Sequence, residues 1–175
     1  MSPCLLVSLS PCLLVSLSPC LLVSLSPFQA RGTNGLTHAA PSIEITLRAR
    51  YAETDAMGVV HHASYVVWLE QGRTELLRAH GTSYREIEAA GFFVVLSELQ
   101  VRYIAPARYD DLVILRAELD GLRSRQLSFS YRLRLAETGA PLVGARSEHI
   151  VVARATGRPT RLPPELLARL RAAPG

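Results

Sequence analysis

Apolar and polar residues alternate strictly from Ile43 to Tyr51, and this period of two is typical of a half-buried β-strand. A similar alternation returns in four later segments and predicts four more strands. These segments are residues 98–103, 113–120, 127–135 and 142–153. Between the last two lies Glu137-Thr-Gly-Ala140, which predicts a hairpin turn.

A different spacing is found in residues 63–80. Apolar residues and one glycine recur there at i, i+3, i+4, i+7 and i+11, on one stripe of an α-helix: Tyr65, Trp68, Leu69, Gly72 and Leu76. Because glycine disfavours a helix, its place in the stripe predicts a close approach between helix and sheet. Two short helices are also predicted, at 84–90 and after Pro163.

The order of these elements predicts an α+β fold. One helix cannot cover both faces of five strands, so we expect a curved antiparallel sheet that wraps the helix and is completed by a partner subunit. About half of the residues (49%) are hydrophobic, which is enough for a sizeable core. We predict one domain at 42–172, with a short C-terminal helix.

The first 41 residues are predicted to lie outside this domain. An eight-residue unit occurs three times from Ser2 to Leu25, and residues 29–41 have the Gly, Ala, Thr and Asn content of a linker. We interpret the repeat as repeated DNA translated upstream of the true start. A lipid-associating or secretory segment and a disordered tail are the alternatives. All the cysteines fall in the repeat and predict neither disulfides nor a metal site: Cys4, Cys12 and Cys20.

Composition restricts the chemistry and the partners. The formal net charge is +4, and all 19 basic residues are Arg, which excludes Schiff-base and Lys general-base catalysis. Arg matches phosphate oxygens, so a phosphate-bearing ligand is favoured. The arginines form no basic run, so no nucleic-acid partner is expected, and neither is stable membrane insertion. A cysteine-free domain fits the reducing cytoplasm.

Asp55 lies in the loop before the long helix, together with Gly58, His61 and His62. A helix start offers unpaired backbone N–H groups and the positive end of the helix dipole. A carboxylate beside it can attack a carbonyl, or direct water at it, while the N–H groups polarise the carbonyl oxygen. No Ser-His-Asp or Cys-His set is apparent, so Asp55 is predicted to be nucleophile or general base. The alternative is an ordinary Asx-type turn.

The two adjacent histidines do not predict a metal site. Neighbouring residues in an extended chain point to opposite sides, so His61 and His62 cannot easily face one ion. The His62 ring is expected to line the site, and helix capping is the alternative use of that ring. We predict no metal and no cofactor.

Two motifs resemble a known family. The first is Tyr51-Ala-Glu-Thr-Asp-Ala-Met-Gly-Val-Val-His-His-Ala-Ser-Tyr65, followed by Leu69-Glu-Gln-Gly-Arg-Thr-Glu75. The second is Val101-Arg-Tyr-Ile-Ala-Pro-Ala-Arg-Tyr-Asp-Asp111. They resemble the hotdog-fold acyl-CoA thioesterases, in the branch of 4-hydroxybenzoyl-CoA thioesterase and the Tol–Pal-associated enzymes. The resemblance extends over about residues 43–166.

This resemblance implies a hotdog fold, an acyl-CoA substrate, hydrolysis to a free carboxylic acid and coenzyme A, and a homodimer or homotetramer. It implies that Asp55 is the catalytic carboxylate and that the backbone N–H of His62 polarises the thioester carbonyl. Other positions are expected to contact substrate: Gly58, Val59 and Tyr65.

Three residues further along the sequence are also expected to contribute to the site. Arg123 and Arg125 match positions that hold the phosphates of coenzyme A, although both also suit a charged strand edge that discourages aggregation. Glu70 is expected to support the catalytic loop without touching the substrate itself. Its alternative is a surface ion pair with Arg73, three residues further along the helix.

Two other functions remain open at the level of sequence. A hotdog dehydratase or hydratase would use Asp55 with His61 or His62 as an acid–base pair on an acyl thioester. A non-catalytic acyl-CoA-binding protein linked to the cell envelope is the alternative from another class.

Overall fold

A five-stranded antiparallel sheet and three helices make up residues 41–172, which are the residues that the computed structural model describes. The strands and helices are β1 Ser42–Arg48, α1 His62–Ala79, α2 Tyr84–Ala89, β2 Phe92–Tyr103, β3 Leu112–Leu122, β4 Gln126–Leu135, β5 Pro141–Ala153 and α3 Pro164–Arg171. The repeat and its cysteines, together with nearly all of the linker predicted up to residue 41, lie outside this range.

The strands are ordered β1-β3-β4-β5-β2, and every neighbouring pair is antiparallel. β3, β4 and β5 follow one another as hairpins. β1 and β2, which α1 and α2 separate in the chain, therefore form the two edges. This is the predicted α+β arrangement, and the hairpin turn at 137–140 is confirmed by the positive φ (72°) of Gly139.

The long helix α1 packs on one face of the sheet through the predicted stripe. Tyr65, Trp68, Leu69 and Leu76 are all at most 3% exposed. Gly72 lies against β3, where a Cβ atom would overlap the Leu115 side chain. The expected close approach is confirmed, and it places the N-terminus of α1 beside the ends of β1 and β2.

Two strands differ from their predicted bounds. β2 begins at Phe92 instead of 98, because residues 92–96 form a continuous apolar run whose period does not identify a strand. β1 ends at Arg48, and Tyr51–Glu53 form a single 3₁₀ turn instead of extending the strand. The backbone N–H of Arg50 donates to the Glu53 carboxylate, which turns the chain away from the sheet.

The edge strand β2 leaves apolar surface uncovered. Val95 and Leu96 are each 47% exposed, and Ile104 just beyond the strand is 55% exposed. Val67 on α1 is likewise exposed. Among residues 41–172, no helix is both long and apolar enough to cross a membrane.

Candidate active site

The loop between β1 and α1 folds into a small hairpin. Asp55 N–H donates to the Val59 carbonyl (2.9 Å), and Gly58 N–H donates to the Asp55 carbonyl (3.0 Å). Gly58 has a positive φ of 73°, which glycine adopts without strain. Val60 N–H donates to the Ala107 carbonyl (2.8 Å) and ties the hairpin to the β2–β3 connection. Asp55 is thereby held seven residues before His62, the first residue of α1.

The Asp55 carboxylate is half-buried in this hairpin. Its Oδ1 atom accepts the backbone N–H of Met57 (2.8 Å), which is the Asx turn considered from the sequence. Its other oxygen has no hydrogen-bond partner within residues 41–172. One oxygen thus shapes the turn, and the second is available for chemistry, so the structural and catalytic interpretations are compatible.

Helix α1 begins at His62, and its N-cap is His61. The Nδ1 atom of His61 accepts the Ala63 N–H (3.2 Å), and its carbonyl accepts the Ser64 N–H (2.9 Å). The capping considered for the His62 ring is therefore made by the His61 ring. The backbone N–H of His62 has no acceptor within the described residues, so it remains a donor at the positive end of the helix dipole.

Both imidazole rings at this helix start are exposed, with their centroids 4.0 Å apart. No group of three or more His, Cys, Asp or Glu side chains within residues 41–172 is arranged to hold a metal ion. The predicted absence of a metal stays a prediction.

Glu53 is the residue at this site that the sequence did not predict. It is only 8% exposed although the loop around it is open to solvent. Its Oε1 atom accepts from Arg50 Nη2 (2.7 Å) and from Trp68 Nε1 (3.0 Å). Burial raises the pKa of Glu53, but the hydrogen bonds from Arg50 and Trp68 outweigh burial and leave the pKa below its usual value. Glu53 was not predicted because an acidic residue three positions after an arginine is too weak a sequence signal to indicate a functional residue.

Two tyrosine hydroxyls form hydrogen bonds with the backbone near the start of α1. Tyr65 is 2% exposed, and its hydroxyl accepts the Ala107 N–H (2.9 Å). Burial is the main cause that raises the Tyr65 pKa. The structure thus places Tyr65 beneath the loop, and its predicted substrate contact stays a prediction. Tyr103, at the end of β2, donates from its hydroxyl to the His62 carbonyl (2.9 Å).

Val59 lies half-buried in the hairpin and forms an isolated bridge with Arg108, whereas Gly58 at the turn is exposed. Both are close in sequence to Asp55 and on the same hairpin. Their predicted contacts with substrate are compatible with these positions and stay predictions.

Glu70 and Arg73 on α1 do not form the ion pair considered from the sequence. Glu70 is exposed, and its carboxylate makes no hydrogen bond within the described residues; its backbone carbonyl accepts the Thr74 hydroxyl. Arg73 instead turns inward, where its Nε donates to the Tyr84 hydroxyl (2.5 Å) and its Nη1 lies 3.4 Å from His149 Nε2. The supporting role of Glu70 stays a prediction.

Arg123 and Arg125 are exposed in the turn between β3 and β4. The Asp55 hairpin is tied to the opposite end of β3, because Ala49 N–H donates to the Asp111 carbonyl just before Leu112. β3 has 11 residues, so its two ends are about 36 Å apart at roughly 3.3 Å per residue of extended chain. One protomer therefore does not bring its own arginine pair to its own Asp55.

Comparison with known proteins connects this geometry to a family. Residues 49–170 match the thioesterase-like superfamily. The acyl-CoA thioester hydrolase YbgC of Escherichia coli O6:H1 is 42% identical over 91 residues, which cover 52% of this chain and 68% of that protein. The solved structure of the hypothetical protein TT1821 from Thermus thermophilus is 37% identical, with a TM-score of 0.68, and covers 73% of this chain and 95% of that one. The DHNA-CoA thioesterase of Staphylococcus aureus is 28% identical, with a TM-score of 0.66, over 69% and 80% of the two chains.

This chain belongs to the thioesterase-like superfamily, because the family match extends over well more than half of it. The resemblance predicted from the two sequence motifs is confirmed, and so is the hotdog arrangement of a curved five-stranded sheet around one long helix.

Proposed function

We propose that this protein hydrolyses acyl-CoA thioesters to a free carboxylic acid and coenzyme A. The observation that carries the proposal is the Asp55 hairpin beside the start of α1: one oxygen of the carboxylate and the N–H of His62 have no hydrogen-bond partner among residues 41–172. Membership of the thioesterase-like superfamily supports it, as does the similarity to proteins named acyl-CoA thioester hydrolase and DHNA-CoA thioesterase.

The chemistry needs one group that drives addition to the thioester carbon and one that stabilises the resulting oxyanion. Asp55 drives addition, either by attacking the carbon itself or by taking a proton from the attacking water. The His62 N–H donates to the developing oxyanion at the start of α1. The C–S bond then breaks, and the sulfur leaves as the thiol of coenzyme A with a proton. Both routes consume one water and give the same products.

Replacing Asp55 tests the first part of this mechanism. We expect Asp55→Asn to keep the fold and to lower kcat by about 10²–10⁴-fold, because the amide is neither base nor nucleophile. The measurement is release of free thiol from short, long and aromatic acyl-CoAs. Asp110→Asn is the matched control: Asp110 is exposed, and its positive φ of 71° suits Asn. Wild-type turnover by Asp55→Asn would contradict the mechanism. The same assay tests the alternative function, because a dehydratase would release no thiol from a saturated acyl-CoA.

Replacing His62 tests the backbone donor separately. His62 is the first residue of α1, where proline is tolerated, and His61 before it is extended (φ −60°, ψ 138°) as a pre-proline residue must be. His62→Pro removes the N–H and should lower kcat by about 10²–10³-fold. His62→Ala keeps the N–H and removes only the ring, so it should retain most activity. Equal activities of the two variants would exclude the N–H as an oxyanion donor.

The finer parts of the proposal concern the partner and the compartment. We assign the coenzyme A phosphates to Arg123 and Arg125 of a second copy of the chain, since within one protomer the pair and the Asp55 hairpin adjoin opposite ends of β3. The exposed apolar residues of β2 support a homodimer or homotetramer. Residues 42–172 contain no cysteine, which supports a cytoplasmic enzyme.

A further inference from the structure

Glu53 is a buried acid that connects three parts of the active site. Its carboxylate accepts three hydrogen bonds: the Arg50 backbone N–H (2.8 Å), the Arg50 guanidinium (2.7 Å) and the Trp68 indole N–H (3.0 Å). Its main-chain carbonyl accepts the His61 N–H (2.8 Å) and the Ser64 hydroxyl (3.2 Å).

These contacts attach both ends of the hairpin to the first two turns of α1. Arg50 precedes the hairpin, His61 closes it, and Trp68 is a core residue of the helix that is only 3% exposed. Asp55 lies two residues after Glu53, and the donor N–H of His62 comes directly after His61. The two catalytic groups therefore take their relative position from the same residue.

We propose that Glu53 is a positioning residue, which fixes the Asp55 carboxylate relative to the His62 N–H. The inference rests on the proposed thioesterase function and adds to it a residue that touches no substrate. Displacement of a catalytic group by about 1 Å can cost roughly 10²-fold in rate, so the loss of this attachment affects turnover more than binding.

Glu53→Gln is the appropriate substitution because it keeps the shape of the side chain while it removes the negative charge and one acceptor of hydrogen bonds. All three groups that contact the Glu53 carboxylate are hydrogen-bond donors. A carboxylate accepts from all of them, whereas the amide of Gln brings its NH₂ group against one donor. One attachment is then lost without a cavity being created.

Trp68 provides a readout that is independent of activity. It is the only tryptophan in the chain, and its indole N–H donates directly to Glu53. The fluorescence of the native protein therefore reports on this contact. Glu53→Gln should shift the emission maximum and the anisotropy of Trp68, because a charged acceptor at 3.0 Å becomes neutral or moves away.

The experiment measures kcat, KM and Trp68 emission for wild type, Glu53→Gln and Glu75→Gln at a temperature well below unfolding. Glu75 is the matched control: it also pairs with an arginine three residues away, Arg78, but on the outer surface of α1. For Glu53→Gln we expect kcat to fall by about 10–10²-fold, with KM changed by less than about threefold, and emission to shift. Glu75→Gln should match wild type in all three quantities.

Trp68→Phe covers the case in which Glu53→Gln does not fold. It removes the N–H donor and keeps an aromatic ring in the core, and it should lower kcat by about 3–10-fold with KM unchanged. Wild-type kcat in the folded Glu53→Gln protein, or in Trp68→Phe if Glu53→Gln is unfolded, would overturn the positioning role. If wild type itself releases no thiol from any acyl-CoA, the proposed function fails instead, and the fluorescence shift still shows whether the contact exists.

Discussion

At the scale of single residues, His149 on β5 has an environment that the alternation pattern did not reveal. It is 1% exposed, and its Nε2 atom lies 2.9 Å from the Ser147 hydroxyl and 3.4 Å from Arg73 Nη1. A guanidinium can only donate, so Nε2 is the acceptor side of the contact with Arg73, while Nδ1 is buried with no hydrogen-bond partner among residues 41–172. Burial, assisted by the charge of Arg73, lowers the pKa of His149 to about 4.

We predict that this histidine makes the protein less stable in mild acid. Its folded pKa is below the unfolded value of about 6.5, so the unfolded state binds the extra proton as the pH falls between these values. The stability contribution is present above pH 6.5 and is lost towards pH 4. Between pH 7.5 and pH 5, the free energy of unfolding of wild type should fall by about 2 kcal/mol more than that of His149→Gln. Urea unfolding at both pH values measures this, and parallel pH dependences would contradict it.

At the scale of elements, the contact between α1 and β3 is fixed by a residue without a side chain. Gly72 lies in the buried stripe of α1 with Leu115 and Ala117 of β3 directly opposite. Any side chain at this position must push the helix from the sheet or displace Leu115, which is fully buried. The helix start that holds the His62 N–H is part of the same rigid element.

Gly72→Val is therefore expected to destabilise the protein by about 1–3 kcal/mol, as overpacking of a core does. Gly144→Val is the control, because a Cβ at Gly144 in β5 meets no atom within 4 Å and valine favours strands. Chemical denaturation of the three proteins provides the free energies. If Gly144→Val lowers the free energy of unfolding as much as Gly72→Val does, the close contact between α1 and β3 is not the cause of the destabilisation at Gly72.

The bounds of the strands and helices also show where hydrophobic periodicity was sufficient to predict secondary structure. Strands β3, β4 and β5 and helix α1 begin and end close to their predicted bounds, because one apolar face of each packs on the core. The first residues of β2 were missed because Phe92 to Leu96 are apolar without alternation. They lie at a sheet edge, on a strand with a bulge between Leu96 and Glu98.

At the scale of the whole molecule, the two groups of predicted site residues lie at opposite ends of the sheet. The Asp55 hairpin adjoins the start of β3, and Arg123 and Arg125 follow its end. Under the proposed assignment of the coenzyme A phosphates to Arg123 and Arg125, each site would take its residues from two copies of the chain. This makes subunit mixing a direct test of the composite site.

We predict that two inactive variants restore activity to each other. Asp55→Asn and the double variant Arg123→Ala/Arg125→Ala should each be nearly inactive at acyl-CoA concentrations below the wild-type KM. After refolding together in equal amounts, a two-fold assembly should recover about a quarter of the wild-type activity, because half of the pairs contain one intact site.

The control variant is Arg85→Ala on α2, an exposed arginine that should leave activity unchanged. No gain on mixing, with both variants folded and assembled, would show that each protomer uses its own residues or that the arginine pair does not bind coenzyme A. The oligomeric state of each mixture is measured by light scattering coupled to size exclusion.

The sequence by itself determined the strands, the long helix, the family and the position of Asp55, because hydrophobic periodicity and a contiguous motif are local properties of the chain. Only the tertiary structure decided which side chains serve the site. Glu53 meets Trp68 across 15 residues, and Arg73 meets His149 across 76, so neither contact follows from spacing. The same holds for the arginine pair: its distance from Asp55 is set by the antiparallel register of β1 and β3, a long-range pairing that no short segment encodes.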